Sequence, residues 1–223
     1  MTTIVGVQGD GFSVICGDSR ISDTDKDGNI SQMFTLGSGL SKIASNGPFL
    51  IGTAGDLRAI NLLTHAFQPP GPVPQVTGKR LDAYMTLKFI PELRSCFESH
   101  GYSLPERDSS NHLAEHGSIM ICSVNASLYI VDGDYSWISD ASGLYSVGSG
   151  SEYALGALHA LAGGKRSLTV QQAKTVALKA IAAAAKYDPA TGSPYHTFVQ
   201  EAPTKKSVPK RPVGKNVKRS TRK

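Results

Sequence analysis

The order in which the hydrophobic periods change along the chain constrains its fold more than any other feature. Residues 3–7 and 12–16 are β-rich runs on either side of Gln8-Gly9-Asp10-Gly11, which predicts a hairpin. Two more short strands are predicted at 40–45 and 48–54, with Asn46-Gly47 as the turn between them. The second is apolar nearly throughout, the mark of a strand covered on both faces. Asp56 then precedes Leu57, Ile60, Leu63 and Phe67 at helical spacing. After a Pro/Gly loop at 68–78, a second helix carries Tyr84, Leu87, Leu93 and Phe97 and stops at His100-Gly101. Strands return at 118–124, 128–131, 135–139 and 144–147. Helices follow at 152–161 and from Thr169-Val170-Gln171-Gln172, which fits a capping box, and a strand at 195–200 ends the series. Strands and helices thus come in separate blocks rather than in strict alternation, which excludes a doubly wound parallel sheet and predicts an α+β fold. The expected arrangement is two antiparallel sheets packed face to face with helices outside both, four layers in αββα order.

Charge divides the chain unevenly. Nine of its 23 Lys and Arg follow Thr204 and no Asp or Glu does, so residues 1–204 carry a formal charge of −4. The last residues, rich in Lys, Pro, Ser and Thr without apolar periodicity, predict a tail that cannot bury enough surface to fold alone. The expected division is a domain at 1–201 and a basic tail at 202–223. No apolar run approaches the ~18 residues of a membrane-spanning helix, and the first residues lack the pattern of a secretory signal. Three cysteines, Cys16, Cys96 and Cys122, cannot make a disulfide framework. The expected setting is cytoplasmic, with no membrane partner.

Familiar catalytic motifs are missing. There is no P-loop and no Gly-x-Ser-x-Gly elbow between a strand and a helix, and Gly148-Ser149-Gly150 lacks the third glycine of a dinucleotide fingerprint. His112 and His116 have the i,i+4 spacing of a zinc pair but stand in a polar stretch, where solvated loop histidines are the ordinary outcome. Thr2 carries a different chemistry. A threonine exposed by removal of Met1 joins a hydroxyl nucleophile to its own α-amine, which titrates near ~7.7–8.0 and can accept the hydroxyl proton at neutral pH.

Several segments support that reading together. Residues 2–7 (Thr-Thr-Ile-Val-Gly-Val) and 13–20 (Ser-Val-Ile-Cys-Gly-Asp-Ser-Arg) open the chain. Lys42-Ile43 enters a strand, residues 49–56 (Phe-Leu-Ile-Gly-Thr-Ala-Gly-Asp) run into a helix, and Val147-Gly148-Ser149-Gly150 runs into another. Residues 187–192 (Tyr-Asp-Pro-Ala-Thr-Gly) precede the last strand. In this order the segments resemble proteasome β subunits and the bacterial proteasome-like heat-shock peptidases, N-terminal nucleophile hydrolases whose fold is a four-layer αββα sandwich. The resemblance spans residues 2 to about 201.

The resemblance implies a threonine-type endopeptidase that uses neither metal nor organic cofactor. Thr2 would be the nucleophile, with Asp18 and Lys42 its charged neighbours and Gly55 the donor of an oxyanion-stabilising N–H. Ser149, Asp188 and Thr191 would orient the α-amine. Thr191 stands where the family usually has serine, and Pro189 between the two is unusual. Thr53 and Leu57 would line the pocket for a small or apolar substrate side chain. The implied partners are a homo-oligomeric ring, an ATP-dependent unfoldase that feeds it, and a peptide or protein substrate. The basic tail, outside the resemblance, has the composition of a nucleic-acid contact that reads no sequence. Two other readings fit the same residues: an inert structural or assembly subunit whose tail binds nucleic acid or a protein, and hydrolysis of a small-molecule amide.

Overall fold

Alternation along the first two strands gives a sheet with two dry faces. The structure is a computed structural model, and it describes residues 2–27, 29–71, 73, 76–103, 106–107, 113–162 and 167–203. In β1 (Thr3–Gly9) and β2 (Phe12–Asp18), Val5, Val7, Phe12, Val14 and Cys16 face helices, whereas Ile4 and Ile15 face a second sheet. The described chain continues through β3 (Arg20–Thr24), β4 (Ile30–Thr35), β5 (Ile43–Asn46), β6 (Phe49–Gly55) and α1 (Leu57–His65). Next come α2 (Lys79–Tyr84), a π-helical turn (Met85–Phe89), α3 (Ile90–Ser99), β7 (Glu106–Arg107) and β8 (Leu113–Ala114). The second half holds β9 (Ser118–Val124), β10 (Ser127–Val131), β11 (Trp137–Ile138), β12 (Leu144–Gly148), α4 (Ser151–Ala162), α5 (Val170–Ala184) and β13 (Tyr195–Glu201).

Two antiparallel sheets result, one in the order β12-β1-β2-β13 and the other β11-β10-β9-β6-β5. The first lies under α4 and α5, whose Leu158, Ala173, Ala177 and Ile181 pack on its outer face. The second lies under α1 to α3, where Phe49, Leu63, Phe89, Leu93 and Phe97 are fully buried. Each such side chain contributes about 1.5–3 kcal/mol relative to exposure. Between the sheets sit Ile4, Ile15, Leu50, Ile121 and Leu128. This is the four-layer αββα sandwich expected from the blocked order of elements. No helix among the described residues is long and apolar enough to cross a membrane.

The expected strands and helices are present with ends shifted by a few residues, and the capping box of Thr169 and Gln172 is formed. The expected strand at 135–139 shortens to β11, because Tyr135 adopts φ 64° in a turn. The helix expected from Tyr84 begins at Lys79 and contains the π turn. Pro91 supplies a reason: its ring cannot sit against the carbonyl four residues earlier in a regular helix, and that residue, Leu87, lies inside the wider turn. The β3–β4 hairpin is additional. Almost all of β4 is solvent-exposed, Met33 and Phe34 side by side included, so no alternating core face marks it in the sequence.

Close approach of the sheets depends on Gly52. A Cβ there would fall 2.6 Å from Cγ2 of Ile4 and 3.0 Å from Cγ2 of Ile15, inside contact distance of two buried side chains. Gly52→Val is therefore expected to lower unfolding stability by about 1–3 kcal/mol, as overpacking does. Urea denaturation checks this, and an unchanged midpoint would mean that the sheets have room to spare.

Candidate active site

Pairing of β1 with both β2 and β12 gathers the predicted residues at one end of the sandwich. Ile4 opposes Gly17 and Thr3 opposes Gly148, so Asp18 and Ser149 flank the start of β1. Asp18 is buried, and its Oδ1 accepts the Thr3 N–H at 3.0 Å and Lys42 Nζ at 2.8 Å. Its Oδ2 accepts the N–H groups of Arg20 at 2.9 Å and Gly192 at 3.0 Å. Lys42 precedes β5 and is equally buried. Its ammonium also donates to the Arg20 carbonyl. Burial pushes the lysine below its ordinary pKa, and the Asp18 carboxylate opposes that shift.

Asp188 organises a second cluster just after α5. Its Oδ2 accepts the hydroxyls of Ser149 at 2.7 Å and Thr191 at 2.6 Å, and its Oδ1 accepts the Ala190 N–H at 3.0 Å. The Thr3 and Thr191 hydroxyls make a short hydrogen bond. Ser149 Oγ in turn accepts the Thr2 N–H at 3.3 Å. The Thr2 nitrogen, an amide while Met1 is attached, is thus connected through one hydroxyl to a carboxylate. Arg20 ties the two clusters together by donating to the carbonyls of Pro189 at 2.7 Å and Thr191 at 3.2 Å.

Glycines shape the backbone around Thr2. Gly148 has φ 98°, and a Cβ there would fall 2.0 Å from the Thr2 carbonyl oxygen. Gly55, with φ 113°, turns the chain out of β6, and a Cβ would fall 2.3 Å from the Gly117 carbonyl oxygen. Both positions need the left-handed backbone and the bare Cα that glycine provides. A cleft of about 420 Å³ opens beside Thr2, lined by Gly55, Ser118, Asp132, Gly148 and Ser149 among others.

Thr2, Asp18, Lys42, Gly55, Ser149, Asp188 and Thr191 are therefore neighbours in space. Thr53 and Leu57 are set apart from the cleft lining: Thr53 is buried in β6, its hydroxyl unbonded among the described residues, and Leu57 is exposed at the start of α1. Of His112 and His116, expected as solvated loop histidines, His112 lies outside the described residues and His116 departs from the expectation. His116 is buried against Phe97 and Tyr135, and its Nδ1 accepts the Ser118 N–H. Burial lowers its pKa, and among the described residues no cluster of His, Cys, Asp or Glu is arranged to hold a metal. Thr3, Arg20 and Gly192 take part in the network without having been singled out in the sequence. Their contacts are to residues 2 to 188 positions away, and the signal that could have pointed to them is their place inside the segments 2–7, 13–20 and 187–192 that carry the resemblance.

The chemistry open to this arrangement is nucleophilic attack by a hydroxyl whose neighbouring nitrogen is oriented by hydrogen bonds and whose surroundings include a buried ammonium. The family model for the proteasome subunit matches residues 117–199, a stretch that holds Ser149, Asp188 and Thr191 but not Thr2, Asp18, Lys42 or Gly55. A search of curated protein sequences finds no match. Among solved structures, BPH of Thiobacillus denitrificans in complex with epoxomicin is similar with a TM-score of 0.68 and 22% identity, covering 91% of this chain and 100% of that one. Another structure of Thiobacillus denitrificans BPH gives 0.66 and 23%, over 92% and 100%. The eukaryotic HslV of Trypanosoma brucei gives 0.57 and 21%, over 90% and 99%. The resemblance read from the sequence is borne out: the chain has the N-terminal nucleophile hydrolase fold in its proteasome and HslV form, with proteasome-subunit sequence similarity over residues 117–199.

Proposed function

We propose that this chain is a threonine peptidase that cleaves peptide bonds through an acyl-enzyme on Thr2 once Met1 is removed. The observation that carries this reading is the hydrogen-bonded path from the Thr2 nitrogen through Ser149 to Asp188, at the end of the sandwich where Lys42 and Asp18 are buried. Freed of Met1, that nitrogen becomes an amine held by Ser149. It takes the Thr2 hydroxyl proton, directly or through a water, as Oγ1 bonds to the substrate carbonyl carbon. The Lys42 ammonium lowers the cost of negative charge on the oxygen. The Gly55 N–H stabilises the tetrahedral oxyanion, and the amine returns its proton to the leaving nitrogen as the C–N bond breaks. Water then hydrolyses the ester and restores Thr2. In this reading the substrate side chain reaches past the cleft lining to Thr53 and Leu57, which stand two residues before and after Gly55.

Similarity to BPH, whose structure has been solved with epoxomicin, supports testing a peptide epoxyketone here. Protein lacking Met1 is expected to be labelled by epoxomicin on Thr2, and Thr2→Ala to abolish the label. Lys42→Ala is expected to reduce turnover by about 10²–10⁴, the usual size of such contributions. Because it leaves a buried carboxylate with only backbone donors, melting curves must accompany the rates. Near-normal turnover in folded Lys42→Ala protein would remove the lysine from the mechanism, and labelling of Thr2→Ala would remove the threonine.

The fold family also supports a homo-oligomeric ring enclosing the sites, a cytoplasmic setting and an ATP-dependent unfoldase as the partner that delivers protein substrates. The domain in this reading is residues 1–201. The tail from 202, with its nine cations and no acid after Thr204, binds polyanions such as nucleic acid by counterion release. Truncation after Ala202 should leave the melting temperature and Thr2 labelling unchanged and remove salt-sensitive RNA or DNA binding. Equal nucleic-acid binding by both forms would move that site onto the domain.

A further inference from the structure

We infer that His116 is an acid-sensitive latch on the wall of the cleft beside Thr2: its neutral imidazole holds the wall in place, and protonation releases it. The wall is the run His116, Gly117, Ser118 and Ile119, where the chain enters β9, together with Asp132 and Gly133 after β10. The His116 ring is enclosed by Phe97, Tyr102 and Tyr135, with ring centroids 5.3, 6.1 and 4.8 Å away. Its backbone is fixed as well, since the Glu115 and His116 N–H groups both donate to the Gly133 carbonyl, at 2.9 and 3.2 Å. Inside this enclosure Nδ1 accepts the Ser118 N–H at 3.3 Å. An amide N–H can only donate, so Nδ1 keeps its lone pair and the ring proton sits on Nε2. Nε2 is buried and has no hydrogen-bond partner among the described residues.

That arrangement suits one protonation state. An imidazolium has two N–H donors and no acceptor, so protonation sets two donors against each other at Ser118 and leaves the Nε2 proton still unanswered. The groups around the ring do not remove this conflict. Asp132 and Asp134 from the turn after β10 and Asp56 ahead of α1 favour protonation, but burial outweighs them and lowers the pKa. Tyr102 and Tyr135 stay neutral, because burial pushes both phenols up. Arg94 of α3 lies over the Tyr135 ring and is paired with Glu98 and Glu115. The charged ring is therefore accommodated only where water reaches it, which requires the wall to part from Phe97 and the two tyrosines. The closed wall keeps its full stability above the ordinary histidine pKa of ~6.5 and loses it as pH falls below, since the open form binds the proton more readily. Ser118 carries the effect onward: it opposes Gly55 across β6 and β9, and its Oγ accepts the Asp56 N–H at 3.1 Å. Release of the wall thus frees the turn at Gly55. The latch is a property of the wall and does not depend on the peptidase reading.

Hydrogen–deuterium exchange of the full chain, at pH one unit above and one unit below ~6.5 and corrected for intrinsic exchange at each pH, provides the test. Protection of the amides at 117–119 is expected to fall by about five- to tenfold at the lower pH, while protection at 50–53 in β6 holds. Exchange at the His116 Cε1–H, which reports titration of the ring, is expected to give a pKa below ~6.5. His116→Asn puts an amide oxygen where Nδ1 stands and does not titrate, so in that variant protection at 117–119 should no longer depend on pH. If the variant does not fold, the two wild-type measurements decide alone. Unchanged protection at 117–119, an equal loss at 50–53, a His116 pKa above ~6.5, or a pH dependence that survives His116→Asn overturns the latch and leaves the peptidase reading untouched.

Discussion

The buried Asp18 carboxylate holds the candidate site together. It receives N–H donors from Thr3, Arg20 and Gly192 and the ammonium of Lys42, four groups from four separate stretches of chain. A carboxylate so deep is tolerable only because both oxygens are bonded and its charge is matched by a lysine with no exposure of its own. Removing any of these contacts would loosen the start of β1, the mouth of β3 or the segment that follows Asp188. The residue that fixes the lysine therefore also fixes the strand on which Thr2 sits.

The sandwich explains why such a network can exist at this end of the molecule. The sheets approach closely where Gly52 meets Ile4 and Ile15. Gly148 and Gly55 then allow backbone to pass within contact distance of Thr2 and Gly117. Helices α4 and α5 bring Ser149 and Asp188 to the same place from the outer layer, because one begins two residues after Ser149 and the other ends four residues before Asp188. Polar groups that would be costly when buried singly satisfy one another here.

Much of this was legible in the sequence. Strands covered on two faces, such as β6, announce themselves by continuous apolarity, and α5 by its spacing and cap. The β3–β4 hairpin left no trace because almost all of β4 is exposed and a period needs a buried face to select it. The π turn was hidden because helical spacing does not reveal a single wider turn. The site residues were legible only as an ordered set of short segments resembling a family, since Asp18 alone reads as a strand-end turn residue and Lys42 as a surface lysine. Arg20 and Gly192 stand inside segments of the resemblance, but their roles stayed unread because they depend on pairing across most of the chain.

In the proposed mechanism Thr2, as an N-terminal residue, carries the acyl group of the substrate. Acid-quenching the protein during turnover of an activated peptide ester and locating the trapped acyl group by tandem mass spectrometry tests it most directly. One acyl group in ester linkage to Thr2 is expected, in molecules that lack Met1. An acyl group on any other residue, or acylated molecules that retain Met1, would contradict it.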